Sequence, residues 1–232
     1  FEPLAPESEF YRRLVDQNSA QHIQVINLKE QGVDDLGTIT SHGWSVELES
    51  RVPPAMLTIG GKRMPLARWA NHDEPNTQMK VTDTMIRLGL DRSDFVGYAN
   101  LSRVVDKGIG RKKLPQKYRK SGWSKLPKFM NGGGTIEVEF DRMRHWHNTG
   151  NIFMDGIVSS SWEWTYNRLR NIDVEKKQFT LAMGAALTGV GDKLKSSHFF
   201  FENIAEEIDQ PGEYYIDREN HLLYLYPPAN FE

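Results

Sequence analysis

The segment Trp162-Glu163-Trp164-Thr165-Tyr166 places three aromatic rings and a carboxylate within one short stretch. On a strand, alternate side chains share a face, so the three rings would form one strip. Such a strip can stack the C–H faces of sugar rings, with Glu163 taking hydroxyl hydrogen bonds from the other side. The same spacing also fits the inner face of a packed sheet. A second feature is basic. Lys107 to Lys128 carries nine Lys and Arg and no acid, a local +9 against −11 for the remainder of a chain whose formal charge is −2. Arg111, Lys112, Lys113 and Lys117 are interleaved there with Tyr118, Trp123 and Phe129. Cations beside aromatic faces suit a polyanion, foremost a sulfated or uronate polysaccharide. A solvated loop that docks on an acidic surface has the same composition.

Other chemical motifs carry less. Gly108-Ile109-Gly110 before Arg111 lacks the strand and helix that a phosphate cradle needs, and Val190 stands where a Walker loop after Gly184 and Gly189 requires Lys. His145 and His147 form one pair, with His72-Asp73-Glu74 elsewhere, whereas a zinc site needs three or four converging ligands. No cofactor is expected. Among 31 carboxylates nothing in the spacing selects an acid/base pair, because the required separation is spatial, so no catalytic residue is assigned. Asn100-Leu101-Ser102 is a glycosylation sequon. The absence of Cys excludes disulfides and thiolate chemistry, and the near-neutral charge argues against a general nucleic-acid binder. No run has the length and apolarity of a membrane span.

The elements that must position these residues are mostly strands. Pro6-Glu7-Ser8-Glu9 followed by Phe10, Leu14 and Val15 predicts a short helix, and Asn203 to Ile208 predicts another with Asn203 as cap. His22 to Leu28, Trp44 to Glu49 and Thr135 to Phe140 alternate as strands. Three hairpins are expected: Met56 to Trp69 around Gly60-Gly61, Arg168 to Ala182, and Glu213 to Tyr226 with Asn220 in the left-handed position. Residues 106–134 break this pattern as a long basic surface excursion. The expected fold is mainly β, an antiparallel sandwich with two short helices and no solenoid repeat.

The chain opens at Phe1 instead of Met, which reads as one domain, 1–232, of a longer protein. Three segments resemble bacterial right-handed parallel β-helix proteins that act on polysaccharides. Leu57-Thr58-Ile59-Gly60-Gly61-Lys62-Arg63-Met64-Pro65-Leu66-Ala67-Arg68-Trp69-Ala70-Asn71 is similar to their "xVNGxxxxLARWPN" stretch, with Ala70 in place of Pro. Trp162-Glu163-Trp164, Ile172-Asp173 and Phe179-Thr180-Leu181 resemble "WDW…ID…ITL". The run from Phe201 through Asp209-Gln210-Pro211-Gly212-Glu213-Tyr214-Tyr215-Ile216-Asp217-Arg218 to Pro228 resembles "xxNLLEELDxPGEWYLDRxxGxLYxxPP", and Asp34-Asp35-Leu36-Gly37 fits "GITDLG".

In those proteins the stretch is an insertion between early and main coils of the helix, and a related β-xylosidase family carries an immunoglobulin-like sandwich beside its catalytic helix. The resemblance therefore implies a sandwich-like insert of a secreted or periplasmic enzyme, a glycoside hydrolase or polysaccharide lyase, whose catalytic coils lie outside this chain. Its implied partners are a polysaccharide and the β-helix itself. Two roles follow, an accessory domain that engages glycan or a structural buttress that binds none alone. The residues assigned to glycan are Trp162, Glu163, Trp164, Tyr166, Arg111, Lys112, Lys113, Lys117 and Trp123.

Overall fold

β-branched and aromatic residues in alternation, broken by Gly, Pro and Asn turns, give strands of two to ten residues in the computed structural model. It describes residues 1–43, 54–75, 86–110, 116, 132–160, 162–184, 189–191, 197–229 and 231. The expected strand at Trp44 to Glu49 lies outside them.

The first half supplies β1 (Glu2–Pro3), α1 (Glu9–Arg13), β2 (Gln24–Asn27), β3 (His42–Gly43), β4 (Thr58–Ile59), β5 (Lys62–Arg63) and β6 (Arg68–Trp69). Ser8 caps α1 by accepting from the Tyr11 amide at 3.1 Å. The second half supplies β7 (Arg103–Asp106), β8 (Thr135–Glu137), β9 (Phe153–Ile157), β10 (Trp164–Asp173), β11 (Gln178–Leu181), β12 (His198–Glu202), β13 (Tyr214–Asp217) and β14 (Leu222–Leu225).

Among the described residues the named strands pair antiparallel throughout, with one isolated parallel bridge between Leu66 and Tyr214, and the mainly β architecture with few helices is consistent with a sandwich. One sheet has the order β1-β2-β14-β13. The larger runs β6-β12-β9-β10-β11-β8-β7, with β3 beside the first half of β10, and β4-β5 stand apart. Met154, Phe199, Phe201 and Leu169 on one side of the larger sheet close its core with Trp69, Ile136, Phe179 and Trp146. In the smaller sheet Tyr215 and Tyr224 pack toward α1, whereas Tyr214, Ile216, Leu223 and Leu225 pack around Leu36 and Met64.

Three sequence expectations change. Residues 62–69 are not one strand: β5 closes the Gly60-Gly61 hairpin, then Pro65 interrupts and β6 pairs with β12. In the last hairpin His221, at φ 55°, takes the left-handed position expected of Asn220. Asn203 is itself left-handed at φ 63° and caps nothing; its amide donates to Asn151 O at 2.7 Å, and the helix there shrinks to a 3-10 turn, Ala205–Glu207. At the base of the expected excursion, β7 runs to Asp106 and Ile109 donates to Gly132 O at 3.0 Å; residues 111–115 and 117–131 lie outside the description.

Candidate functional site

The central strands carry opposite chemistry on their two sides. Three cross-strand rows fall on the side away from the core: His198–Ile157–Trp164, Phe200–Asp155–Tyr166 and Glu202–Phe153–Arg168. β3 extends the middle row with His42 opposite Tyr166, and β6 extends the last with Arg68 opposite Glu202. Directly opposed residues share a face, so pleating alone assembles these side chains from five strands.

The rows are cross-linked. Trp164 Nε1 donates to Asp155 Oδ1 at 2.5 Å, and the Tyr166 hydroxyl hydrogen-bonds Glu202. Tyr166 stacks between Phe153, at 4.8 Å between ring centres, and His42, at 4.4 Å. The Arg68 guanidinium lies 3.6 Å over the Phe200 ring and donates to Ala70 O and Gly97 O, both at 2.8 Å. Tyr98 meets Trp164, His198 and Phe200 edgewise or tilted at 5.2–6.4 Å, which makes an aromatic border. Beside it a cleft of about 320 Å³ opens over Asp155, Tyr166, Glu202 and His42, roofed by Ile39, Ala55, Met56, Arg63, Leu66 and Tyr214.

Burial sets the electrostatics. It pushes the Asp155 and Glu202 carboxyls above their ordinary values, against the pull of the Trp164 and Tyr166 hydrogen bonds and of Arg68. It raises the Tyr166 phenol well above 10, helped by Glu202, and lowers Arg68. The cleft thus offers carboxylate acceptors, a phenol and an imidazole beneath a largely apolar roof, a set that can read the hydroxyls of a ring-shaped polar ligand.

Gly43 holds His42 in place. At φ 72° it suits glycine, and a Cβ there would lie 2.6 Å from Trp164 O. Gly43→Ala is expected to push β3 off β10 and cost about 1–3 kcal/mol, read as a lower urea midpoint. An unchanged midpoint would show that β3 does not brace the cleft.

The residues singled out by sequence are dispersed. Trp164 and Tyr166 do share a face, but Trp164 is 41 % exposed whereas Tyr166 is buried. Trp162 is 56 % exposed in the turn before β10, so it does not extend their strip. Glu163 is turned inward and 1 % exposed, with its amide on Ser160 O at 2.8 Å. Its carboxylate is closed off from a ligand on the outer face. Arg111, Lys112, Lys113, Lys117 and Trp123 lie outside the described residues. His147 Nδ1 bonds Glu206 Oε1 at 3.1 Å. No three His, Cys, Asp or Glu among the described residues come together to hold a metal, and no helix there is long and apolar enough to cross a membrane. The sequon Asn100 is buried, its side chain donating to Ser197 O.

Sequence reasoning missed Asp155, Glu202, Arg68, His42 and Phe200. The signal was present in Phe153-Met154-Asp155-Gly156-Ile157 and His198-Phe199-Phe200-Phe201-Glu202, apolar strands with polar groups confined to alternate positions.

No protein-family profile matches the chain, and no curated protein matches it. A solved structure described as a glycoside hydrolase is similar to it at 13% identity and a TM-score of 0.35, over 77% of this chain. The matched part spans 24% of that structure's length.

Proposed function

We propose that the chain is a carbohydrate-engaging accessory domain of a polysaccharide-degrading enzyme, favouring an anionic glycan. The observation that carries this reading is the outer face of the larger sheet. Half-exposed Trp164 donates to Asp155, which with Tyr166 and Glu202 lines the neighbouring cleft. A flat ring next to hydrogen-bonding carboxylates suits a sugar, which presents axial C–H groups and hydroxyls together. The segments resembling polysaccharide-acting β-helix proteins supply the second support, and the +9 of residues 107–128 favours acidic glycans. In that setting the domain is an insert beside the catalytic helix of a secreted or periplasmic protein.

Affinity electrophoresis through carrageenan, alginate, pectate and xylan tests the proposal. Retardation is expected with at least one anionic glycan, weakening from low to moderate salt. Trp164→Ala is expected to lower that affinity about 10-fold, the loss of one stacked ring at ~1.4 kcal/mol, with near-UV circular dichroism otherwise retained. Mobility unchanged in every glycan would remove the binding role and leave the buttress.

A further inference from the structure

One row further along the same sheet face, a second cavity of about 60 Å³ adjoins the cleft across Ile39. Phe153 and Arg168 form its floor, and Asn203, Asn151 and Arg218 close it, with exposed Thr38 and Gly150 at the rim. Two arginines thus line a small space that no carboxylate among the described residues lines.

Arg218 is the unusual member. Its Nη1 makes a 3.4 Å bond to Ile216 O, while Nε and Nη2 are shielded from solvent and have no hydrogen-bond partner. Those two nitrogens are the edge with which arginine forks a carboxylate. The ionisable groups that act on Arg218 are Tyr215, Tyr214 and Tyr166. Neighbouring Asp217 is spent on its own turn, accepting from the Glu219 and Asn220 amides at 3.0 and 3.1 Å and from the Asn220 side chain at 2.8 Å. Arg218 is half-buried with its Nε–Nη2 edge shielded and no carboxylate acting on it among the described residues, so the fold keeps here a partly desolvated group it does not itself neutralise. Asn203 adds the complementary need. Its Nδ2 is used on Asn151 O, which fixes the amide's orientation, and its Oδ1 is buried on a 3 % exposed side chain with no donor.

We infer that this cavity receives the carboxylate of an acidic sugar residue, with Arg218 forking the carboxylate and Asn203 Oδ1 accepting from an adjacent hydroxyl. The volume admits a carboxylate but not a pyranose ring, so the ring stays over the main cleft. The inference rests on the glycan reading above and assigns the acid preference to a position independent of the basic segment.

The experiment is isothermal titration of the intact chain with tri-galacturonate and with its neutral counterpart, galactotriose, alongside thermal shifts in monomeric galacturonate, chloride and sulfate. Arg218→Met is the test variant and Arg218→Lys the conservative one. Tri-galacturonate is expected to lose about 10- to 100-fold in affinity in Arg218→Met, the scale of a charge-assisted pair, while Arg218→Lys retains part of it. Because no carboxylate is left unpaired, Arg218→Met should fold and melt at or above the wild-type temperature. Galacturonate should raise the wild-type melting temperature and leave Arg218→Met unmoved. Equal affinity of both variants and wild type for tri-galacturonate would overturn the inference while leaving the glycan reading intact. Thermal shifts as large with chloride or sulfate would overturn it in favour of an inorganic anion. Binding of monomeric galacturonate, lost in Arg218→Met, with no binding of any oligosaccharide would uphold this pocket and defeat the broader reading. An Arg218→Met chain that melts well below wild type would make the residue structural and defeat the inference.

Discussion

Glu207→Ala is expected to destabilise the chain by about 3–5 kcal/mol, the cost of leaving a buried charge pair with one member. Glu207 has no exposed side-chain surface. Arg142 grips it from Nε at 3.0 and 3.1 Å and from Nη2 at 2.7 Å, and Trp146 Nε1 donates at 2.6 Å. Burial raises the carboxyl while those donors pull it down. Removing the carboxylate strands the indole N–H and leaves a guanidinium that is only 31 % exposed with Asp209 at 3.4 Å and the more distant Glu74 as its remaining acids. The preceding Glu206 binds Arg13 of α1 and His147, and its backbone oxygen accepts from the Val15 amide at 2.9 Å. The acidic pair therefore joins α1, the 142–147 turn and the end of the larger sheet. For a chain of this size the loss corresponds to a melting temperature lower by roughly 6–20 °C. A urea midpoint reduced at constant slope would confirm it; a change below about 1 kcal/mol would mean that apolar packing around Trp146 holds the junction.

Stability should fall as the pH rises from about 4.5 to about 8, with Glu213 a principal source. The side chain is 2 % exposed, with Oε2 accepting from the Asp209 and Gln210 amides at 3.0 Å each and Oε1 from the Arg68 amide at 3.3 Å. Burial outweighs those amides, and the charge of Asp209 adds to it, so the carboxyl is pushed up to about 8 from 4.5. Between those values the folded chain holds a proton that the unfolded chain has released. Raising the pH then favours the unfolded chain by about 1.4 kcal/mol per unit, to a ceiling of roughly 4–5 kcal/mol. Asp209, pushed up to about 6, acts with the same sign, as do Asp155 and Glu202. The lowered carboxyls Asp91, Glu137 and Asp173 lose their contribution only on falling through and below their ordinary 3.8–4.5, outside this window. Glu213→Gln is expected to remove about one proton from the slope of unfolding free energy between pH 5 and 8, whatever it does to absolute stability. Parallel profiles for the two chains would show that Glu213 is ionised in both states.

Strands with a local turn signal were legible in the sequence. The hairpins around Gly60-Gly61, 174–177 and 218–221 formed where glycine or turn-prone residues separate alternating runs. Non-local pairing was not legible: nothing in Arg68-Trp69 announces that β6 lies beside Phe201 and Glu202 instead of continuing from β5. The site divides in the same way. Trp164 and Tyr166 were found because they are two residues apart on one strand. Asp155, Glu202 and Arg68 joined them only through the registers of β9, β12 and β6, and a register slip of one residue would have put all three into the core. Glu163 shows the converse, since strand periodicity does not govern a residue that precedes the strand.

The pairing of β2 with β14 has a consequence for the order in which the molecule can assemble. Val25 lies opposite Tyr224 and Ile26 opposite Leu223, so β2 finds that neighbour only after the roughly 200 residues between them have been made. Closing so long a loop is entropically slow, while the β9-β10-β11 meander can form from nearby sequence as soon as it emerges. The larger sheet is thus free to nucleate first, and Leu4, Leu14 and Ile23 must wait for Tyr215 and Tyr224 to complete their core. During that interval β2 presents an unpaired edge, which is the stage at which a neighbouring nascent chain could capture it.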